Sequence, residues 1–409
     1  MSISRRTFIQ KTATTVAVGL AVPPWLAKMV WADDQFNTSN TNSGKRILVV
    51  VQLSGGNDGI NTVIPYSHDS YRSNRPTIAV PETNILKLSD TVGLNPAMTG
   101  LKDLFDQKQV AIIQGVGYPN PNRSHFRSME IWQTADPDKI DSEGWVGRYL
   151  DQIQTGRTSP LTGINIGNEA TEAFQSAHSA VPTVQGLATF GNVFPHNSNG
   201  DLETATLRQM QMNGAVGPHA QFLNAVAAET YESADKIRSG IKSYNSTVSY
   251  GKDGLATGLQ QVAMLIAANL GTRVFYVTTG GFDTHVGQAK RQPILLQQLS
   301  DGLNAFQRDL TAMGAADKVV TVVFSEFGRR VHENAGGGTD HGTASEMFVI
   351  GGPVKGGLYG EYPDLANLDQ GDLKYSTDFR SVYGTLLDHW LGSNSEGVLG
   401  KRFDDLGFI

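Results

Sequence analysis

The chain has 409 residues, of which 33 are Lys or Arg and 39 are Asp or Glu, giving a formal net charge of −6. This acidic balance argues against nucleic acid or an anionic membrane surface as the main partner. The sequence contains no cysteine, which excludes disulfides, thiolate metal sites and cysteine nucleophiles.

The first 32 residues have the pattern of an export signal. Two arginines, Arg5 and Arg6, precede a modest apolar stretch over residues 13–22. A bilayer-spanning helix needs roughly 20 apolar residues, about twice this length. We therefore predict a twin-arginine signal peptide over residues 1–32, with the twin-arginine translocase as a partner during export. The alternative, a buried N-terminal helix, fits the paired arginines less well.

The predicted destination of the mature protein is periplasmic or extracellular, without stable membrane insertion. A polar linker over residues 33–45 follows the signal, and residues 46–409 then alternate apolar runs with helical patterns. The first run, over residues 46–53, is nearly continuous, which is typical of a parallel strand buried on both faces. Similar runs recur at residues 110–116, 274–278, 319–324 and 347–350.

Helical patterns lie between the apolar runs. They cover residues 96–107, 125–134, 145–153, 220–239, 255–269, 293–313 and 378–391. Strands that alternate with long helices predict one α/β domain with a mostly parallel sheet between helix layers. Residues 155–215 are weakly patterned and rich in Gly, Asn, Ser and Thr, and we predict that they form an inserted cap.

Polar loops directly follow four of the predicted strands. They cover residues 54–59, 117–125, 279–285 and 325–330. Ligands of open α/β sheets bind outside the carboxyl ends of the strands, so this recurrence predicts a single site.

Carboxylates and histidines occur in these loops and in the glycine-rich segment 336–342. The candidate metal ligands are Asp58, Asp283, His285, Glu326, Asp340 and His341. Oxygen donors with neutral imidazoles suit Zn²⁺, Mn²⁺ or Mg²⁺, and the set could hold one or two ions. Two ions about 4 Å apart would clamp the attacking and leaving oxygens of an in-line displacement.

Two of these ligands have alternatives that the sequence leaves open. Asp58 lies in Asn-Asp-Gly after a strand, which is good turn chemistry by itself. Glu326 could instead form an ion pair with Arg329 or Arg330.

Ser124 precedes the predicted helix over residues 125–134. Serine is a favoured N-cap in any helix, which is the alternative to a functional role. A helix N-terminus also binds oxyanions, so a serine hydroxyl there can act as a nucleophile. Arg123 could hold a tetrahedral anion through its forked donors. His125 could be a metal ligand, an acid/base group or a packed side chain.

The ordered motifs of the chain form a recognisable set. They are GGNDG, NRSHF, GGFDTH, SEFGR, GGTDHGTA and GGLYGEYP. Behind a twin-arginine leader, this set resembles a widespread bacterial family of exported proteins without an agreed activity, over about residues 46–409. That family looks distantly similar to the alkaline phosphatase and sulfatase superfamily. The resemblance implies an alkaline-phosphatase-like three-layer sandwich with metal ions at the strand ends.

The resemblance also implies roles for individual residues. Asp58 matches the acidic ligand after the first strand, and Ser124 matches the nucleophile at a helix start. Asp283 and His285 resemble the Asp and His of one metal site, and His341 resembles the late histidine of the superfamily.

Two positions depart from the superfamily pattern. Ser325-Glu326 stands where the superfamily usually has Asp-His, and the spacing of Asp283 to His285 is shorter than usual. A one-metal enzyme and a scaffold without catalysis are therefore both compatible with the sequence.

The function predicted from the sequence is an exported metal-dependent hydrolase of phosphate or sulfate esters. Its catalytic residues would be Ser124, Arg123 and His125, and its substrate a small anionic ester or a glycan. The alternative is a non-catalytic exported binding or assembly protein that retains the pocket.

Overall fold

The computed structural model describes residues 46–140, 142–153, 159–187, 190, 206 and 230–409. The predicted signal peptide, the predicted linker and much of the predicted cap lie outside this part of the chain. Within it, no helix is both long enough and apolar enough to cross a membrane.

The described strands and helices follow one another along the whole chain. The strands are β1 (Ile47–Leu53), β2 (Val63–Ile64), β3 (Leu86–Lys87), β4 (Gly93–Leu94), β5 (Val110–Gly117), β6 (Gly163–Ile166), β7 (Thr183–Val184), β8 (Val274–Thr279), β9 (Val319–Ser325), β10 (Arg329–Glu333), β11 (Thr339–His341), β12 (Ser345–Ile350), β13 (Gly357–Tyr359) and β14 (Thr377–Asp378). The helices are α1 (Gly59–Thr62), α2 (Asp69–Asn74), α3 (Thr99–Asp106), α4 (His125–Thr134), α5 (Trp145–Ile153), α6 (Gly254–Ala267), α7 (Gln288–Ala312), α8 (Phe379–Thr385), which continues as a π-helical turn over Leu386–Leu391, and α9 (Ser395–Leu399).

The central sheet has the strand order β13-β5-β12-β9-β1-β8-β6-β7, with β14 also paired to β5. Strand β1 is parallel to both of its neighbours, β8 and β9. Strand β12 is antiparallel to both β9 and β5, so β5 runs in the same direction as β9. The carboxyl ends of β1, β5, β8 and β9 therefore meet at one edge of the sheet. The prediction of a mixed α/β fold with a mostly parallel sheet is confirmed.

Alternate side chains of the central strands pack against different helix layers. Val49 and Val51 of β1 belong to a buried cluster that includes Leu259 of α6. Leu48 and Val50 belong to a second cluster on the opposite face, built with α4, α5 and α8. Each fully buried apolar side chain contributes about 1.5–3 kcal/mol to stability. The near-continuous apolar pattern of β1 reflects this burial on both faces.

The five strands predicted from apolar runs are present, each within two residues of its predicted bounds. Strands β6 and β7, the last two on one side of the sheet, were missed because they are short and their sequence is weakly patterned. Both fall inside the segment predicted as a cap, and both belong to the central sheet. Most of the remaining predicted cap lies outside the described residues, so the cap stays a prediction.

The predicted helices agree with the described ones except at one long helix. Helix α7 begins at Gln288, five residues before Pro293, where its start was predicted. Proline favours the first helical position, which is why the sequence pattern suggested that start. Gly287, with a φ of 63°, begins the helix earlier, and Pro293 lies inside it. For the helix predicted over residues 220–239, only residues from 230 onward are described, and these are helical to residue 240.

Candidate metal centre

The polar loops at the carboxyl edge of the sheet bring imidazoles and a carboxylate together. His125 opens α4 after β5, Asp283 and His285 follow β8, and His341 ends the short strand β11. One donor atom from each of His125, Asp283 and His341 lies within 4.8 Å of the others, an arrangement that could hold a metal ion. His285 joins this group through its Nε2, which lies 3.0 Å from Asp283 Oδ1. We call these four residues the donor cluster.

The spacing within the donor cluster is close to that of ligands around one ion. His285 Nε2 lies 2.9 Å from His341 Nε2. Asp283 Oδ1 lies 3.0 Å from the first of these nitrogens and 3.3 Å from the second. Tetrahedral zinc with bonds of about 2.0–2.1 Å keeps its ligand atoms about 3.3 Å apart. These three atoms are therefore spaced like one face of a tetrahedral site.

Each histidine of the donor cluster has its Nδ1 beside an acceptor oxygen. The acceptors are Glu326 Oε1 for His125 at 2.9 Å, Asp340 Oδ1 for His285 at 3.1 Å, and the carbonyl oxygen of Arg123 for His341 at 2.9 Å. These oxygens accept only, so each Nδ1 donates and each neutral ring keeps its lone pair on Nε2. Metal-binding histidines characteristically donate their other N–H to such an oxygen.

The contact between His285 and His341 calls for a cation. In these tautomers both Nε2 atoms carry a lone pair, and they lie 2.9 Å apart. Two lone pairs at this distance repel each other unless a proton or a metal ion lies between them. Burial lowers the pKa of His341, which opposes a shared proton.

Glu326 was predicted as a metal ligand, and the structure places it behind His125 instead. Its carboxylate is buried and accepts hydrogen bonds from His125 Nδ1 at 2.9 Å and from the Gly55 N–H at 2.8 Å. The hydrogen bond from His125 to Glu326 raises the pKa of this histidine. The alternative for Glu326, an ion pair with Arg329 or Arg330, is not formed, because those arginines pair with Asp283 and Asp372.

Asp340, also predicted as a ligand, holds His285. Its Oδ1 accepts from His285 Nδ1 at 3.1 Å and from Asn334 Nδ2 at 2.9 Å. The Asn334 hydrogen bond is the main cause of the lowered pKa of Asp340. Asp340 and Glu326 thus fix the ring orientation of two histidines.

Asp58 is the predicted ligand that the structure does not bring into the donor cluster. Both carboxylate oxygens bind Arg75, at 2.5 Å and 3.0 Å, and one also accepts from Gln288. Asp58 and Arg75 are fully buried. The carboxylate already has a full set of partners, and its role is that of an ion-pair partner below the site.

Arg329 is a site residue that the sequence reasoning did not assign. Its buried guanidinium donates to Asp283 Oδ1 at 2.6 Å, to the Gly56 carbonyl at 2.6 Å and to the Thr339 carbonyl at 2.8 Å. Partial burial of Asp283 opposes its ionisation, yet Arg329 holds the pKa of this carboxyl below its usual value. Arg329 ties three loops together and keeps Asp283 charged. The sequence signal that could have identified Arg329 is its position, because it follows buried strand β9 and the short polar loop after that strand.

Two glycines after β1, Gly55 and Gly56, allow the loop after β1 to lie close to the loops after β8 and β9. Gly55 has a φ of 120°, and a Cβ there would overlap the backbone of Asp283. Gly56 has a φ of 72°, and a Cβ there would overlap the Phe327 ring. That ring packs against His125 and His341, with centroid distances of 5.1 Å and 4.7 Å. The Gly-Gly pair therefore serves the packing of the donor cluster.

Ser124 occupies the N-cap position of α4, as predicted. Its backbone is extended, with φ −83° and ψ 127°, and its side chain makes no capping hydrogen bond within the described chain. The residue is exposed, and its N–H donates to Asn122 Oδ1 at 2.8 Å. The Ser124 hydroxyl therefore does not cap the helix, which was the structural alternative to a catalytic role.

Arg123 lies between the donor cluster and a buried carboxylate. Its carbonyl accepts from His341, as described above, and its guanidinium pairs with Asp372. The positive charge expected to hold a substrate anion is thus partly balanced by Asp372.

The fold and the site together define an α/β protein with a histidine and aspartate donor cluster at the carboxyl edge of its sheet. Residues 45–396 match a family described as "Protein of unknown function (DUF1501)", and the chain belongs to this family. No curated protein matches the sequence.

Several solved structures are similar to this chain at low identity. One is a protein of the alkaline phosphatase superfamily from Vibrio parahaemolyticus, with 10 % identity, a TM-score of 0.39 and coverage of 98 % of this chain and 80 % of that one. Another is the PsFucS1 sulfatase from Pseudoalteromonas sp., with 11 % identity, a TM-score of 0.36 and coverage of 98 % and 72 %. A third is the C-terminal periplasmic domain of EcEptC from Escherichia coli in complex with Zn, with 10 % identity, a TM-score of 0.36 and coverage of 76 % and 73 %.

Proposed function

We propose that the protein is an exported metal-dependent hydrolase of phosphate or sulfate esters. The observation that carries this proposal is the orientation of three histidines. Each donates its Nδ1–H to an oxygen and turns Nε2 toward Asp283 or toward a neighbouring ring. In metal sites the ligating histidines are held in this way, each by a hydrogen bond from its other ring nitrogen to an oxygen.

The donor cluster would hold the ion through His125, His285, His341 and Asp283. Three imidazoles and one carboxylate fit Zn²⁺ better than Mg²⁺, which prefers oxygen ligands throughout. A bound ion would polarise an ester oxygen and lower the pKa of a neighbouring hydroxyl. One ion accounts for all four donors, and Glu326 and Asp340 serve as their partners.

Ser124 is the proposed nucleophile. It stands at the start of a ten-residue helix, where the unpaired N–H groups and the helix dipole favour a negatively charged oxygen. Its Oγ would attack phosphorus or sulfur and lose its proton, the bond to the alcohol would break, and the leaving alcohol would take up that proton. Water would then hydrolyse the Ser124 ester and release phosphate or sulfate. Arg123, the preceding residue, would hold the anionic oxygens of the ester.

The test begins with the metal content of the purified protein and its turnover of aryl phosphates and aryl sulfates. We expect close to one zinc per chain and measurable hydrolysis of one ester class. Ser124→Ala should lower turnover by several orders of magnitude, with metal content and stability nearly unchanged, because the hydroxyl makes no capping bond. An active Ser124→Ala variant would move the attack to water. A wild type without metal and without hydrolysis would favour a non-catalytic exported binding or assembly protein.

A further inference from the structure

Asp372 is a buried carboxylate that lies between two guanidinium groups. It is 1 % exposed, whereas the side chains of Arg123 and Arg330 are each 39 % exposed. Arg123 Nη2 pairs with Asp372 Oδ2, and Arg330 Nε lies 3.7 Å from Asp372 Oδ1. One negative charge thus faces two positive charges, which leaves this group with a net positive charge.

The two arginines adjoin the donor cluster from different elements. Arg123 lies in the loop after β5, and its carbonyl accepts the Nδ1–H of His341 at 2.9 Å. Arg330 belongs to β10, one residue after Arg329, which binds Asp283.

The polar groups of this arrangement are incompletely bonded. Within the described residues, Arg123 Nε and Asp372 Oδ1 are buried without a hydrogen-bond partner. Arg330 makes no side-chain hydrogen bond there, and 3.7 Å from Asp372 is too long for one. Buried polar groups usually find a partner, so the missing bonds point to a group from outside the chain. The unused donors of Arg123 and Arg330 are N–H groups, which suit an anion. Asp372 Oδ1 is an acceptor, and its charge partner is Arg330 at 3.7 Å.

We propose that Arg330 binds a second anionic group of the substrate, beside the ester group that Arg123 holds and Ser124 attacks. This inference rests on the proposed function for the position of the first group. Planar guanidinium forks recognise sulfate, phosphate and carboxylate through paired hydrogen bonds. The substrate class is therefore an ester that carries at least two anionic groups, and Arg330 determines the preference for it over a monoanionic ester.

The experiment measures binding of methanesulfonate and 1,3-propanedisulfonate to the purified protein by calorimetry. These probes carry one and two sulfonate groups, and neither contains an ester that the protein could cleave. We expect the wild type to bind the disulfonate more tightly. Arg330→Gln should weaken disulfonate binding roughly tenfold and leave the monosulfonate nearly unchanged, because one charge-assisted contact is lost. Arg308→Gln, which removes an exposed arginine from α7, is the matched control and should change neither affinity.

A second variant keeps the test decisive. Arg330→Lys retains the charge without the fork and should recover only part of the disulfonate affinity, so it also serves if the Gln variant fails to fold. Equal affinity of the wild type for both probes would overturn the inference, as would equal weakening of both by Arg330→Gln. The readout is independent of turnover, so an absence of ester hydrolysis would contradict the proposed function and not this result.

Discussion

At the scale of single residues, the site depends on carboxylates that do not touch the proposed ion. Glu326 and Asp340 each accept the Nδ1–H of one histidine, at 2.9 Å and 3.1 Å. Such partners fix the tautomer and the direction of the ring, and they raise the basicity of the ligating nitrogen. Residue type alone did not separate a carboxylate that binds an ion from one that holds a ligand.

Glu326→Gln tests this positioning role. The amide can still accept from His125 but lacks the negative charge, so we expect metal affinity to fall about 10–100-fold. Competition with a fluorescent zinc chelator measures the affinity. Asp364→Asn is the matched control, because Asp364 pairs with His68 at 3.2 Å outside the donor cluster. Unchanged zinc affinity in Glu326→Gln would remove Glu326 from the metal centre.

At the scale of elements, the buried Asp58–Arg75 pair joins the loop after β1 to the β10–β11 hairpin. Arg75 follows α2 and donates to Asp58 and to the carbonyls of Arg330 and Val331, at 2.9 Å and 3.0 Å. The hairpin carries His341 into the donor cluster. The pair therefore supports the site from below, without contributing a ligand.

Asp58→Asn separates support from ligation. Removing one partner of a buried ion pair leaves the other charge uncompensated, so the free energy of unfolding should fall by about 3–5 kcal/mol. Chemical denaturation measures this loss. Zinc content per folded molecule should stay at the wild-type level, whereas Asp283→Asn, the comparison variant, should deplete it. Zinc loss in a folded Asp58→Asn protein would make Asp58 a ligand after all.

At the scale of the whole molecule, one buried carboxyl links folding stability to pH. Glu346 is the second residue of β12 and accepts from Asn57 Nδ2 at 3.0 Å and from Ser345 Oγ at 3.1 Å. Burial raises the pKa of Glu346 from 4.5 to about 7. Between these values the unfolded chain ionises Glu346 while the folded protein keeps it protonated. The contribution of Glu346 to stability should therefore be full below pH 4.5 and should be lost as the pH rises to about 7.

Glu346→Gln should remove this part of the pH dependence. A pKa difference of this size corresponds to about 3 kcal/mol, so the variant should be more stable than the wild type above pH 7 by an amount of that order. Urea denaturation at pH 5 and pH 8 gives the comparison. Glu361→Gln, an exposed site, is the control. Parallel pH profiles of wild type and Glu346→Gln would contradict the raised pKa.

The predicted export also concerns the whole molecule. Replacing Arg5 and Arg6 with lysine should keep the precursor in the cytoplasm, because the twin-arginine pathway recognises the arginine pair itself. Fractionation followed by immunoblotting measures the distribution, and Lys11→Arg is a control outside the pair. Unchanged delivery of the double variant would show that another route exports the protein.

The sequence by itself determined the buried strands and the edge where the site would form. An apolar run such as that of β1 is a local signal, because burial on both faces requires an apolar residue at nearly every position. The loops at the carboxyl edge of the sheet were expected to meet, so Asp58, Asp283, His285 and His341 were predicted as neighbours. All but Asp58 lie in the donor cluster. The start of α4 at His125 was equally local.

Only the tertiary structure decided the role of each polar residue. Glu326 lies 201 positions from His125, and Arg123 lies 218 positions from His341, yet each pair shares a hydrogen bond. The lone pair that a histidine offers to an ion depends on such a distant partner, and no local pattern encodes it. Asp58 also shows that the role of a polar residue cannot be inferred from its local sequence. The position of Asp58 in a loop after a strand predicted a metal ligand. In the fold its carboxylate pairs with Arg75 instead, because a buried charge must be paired.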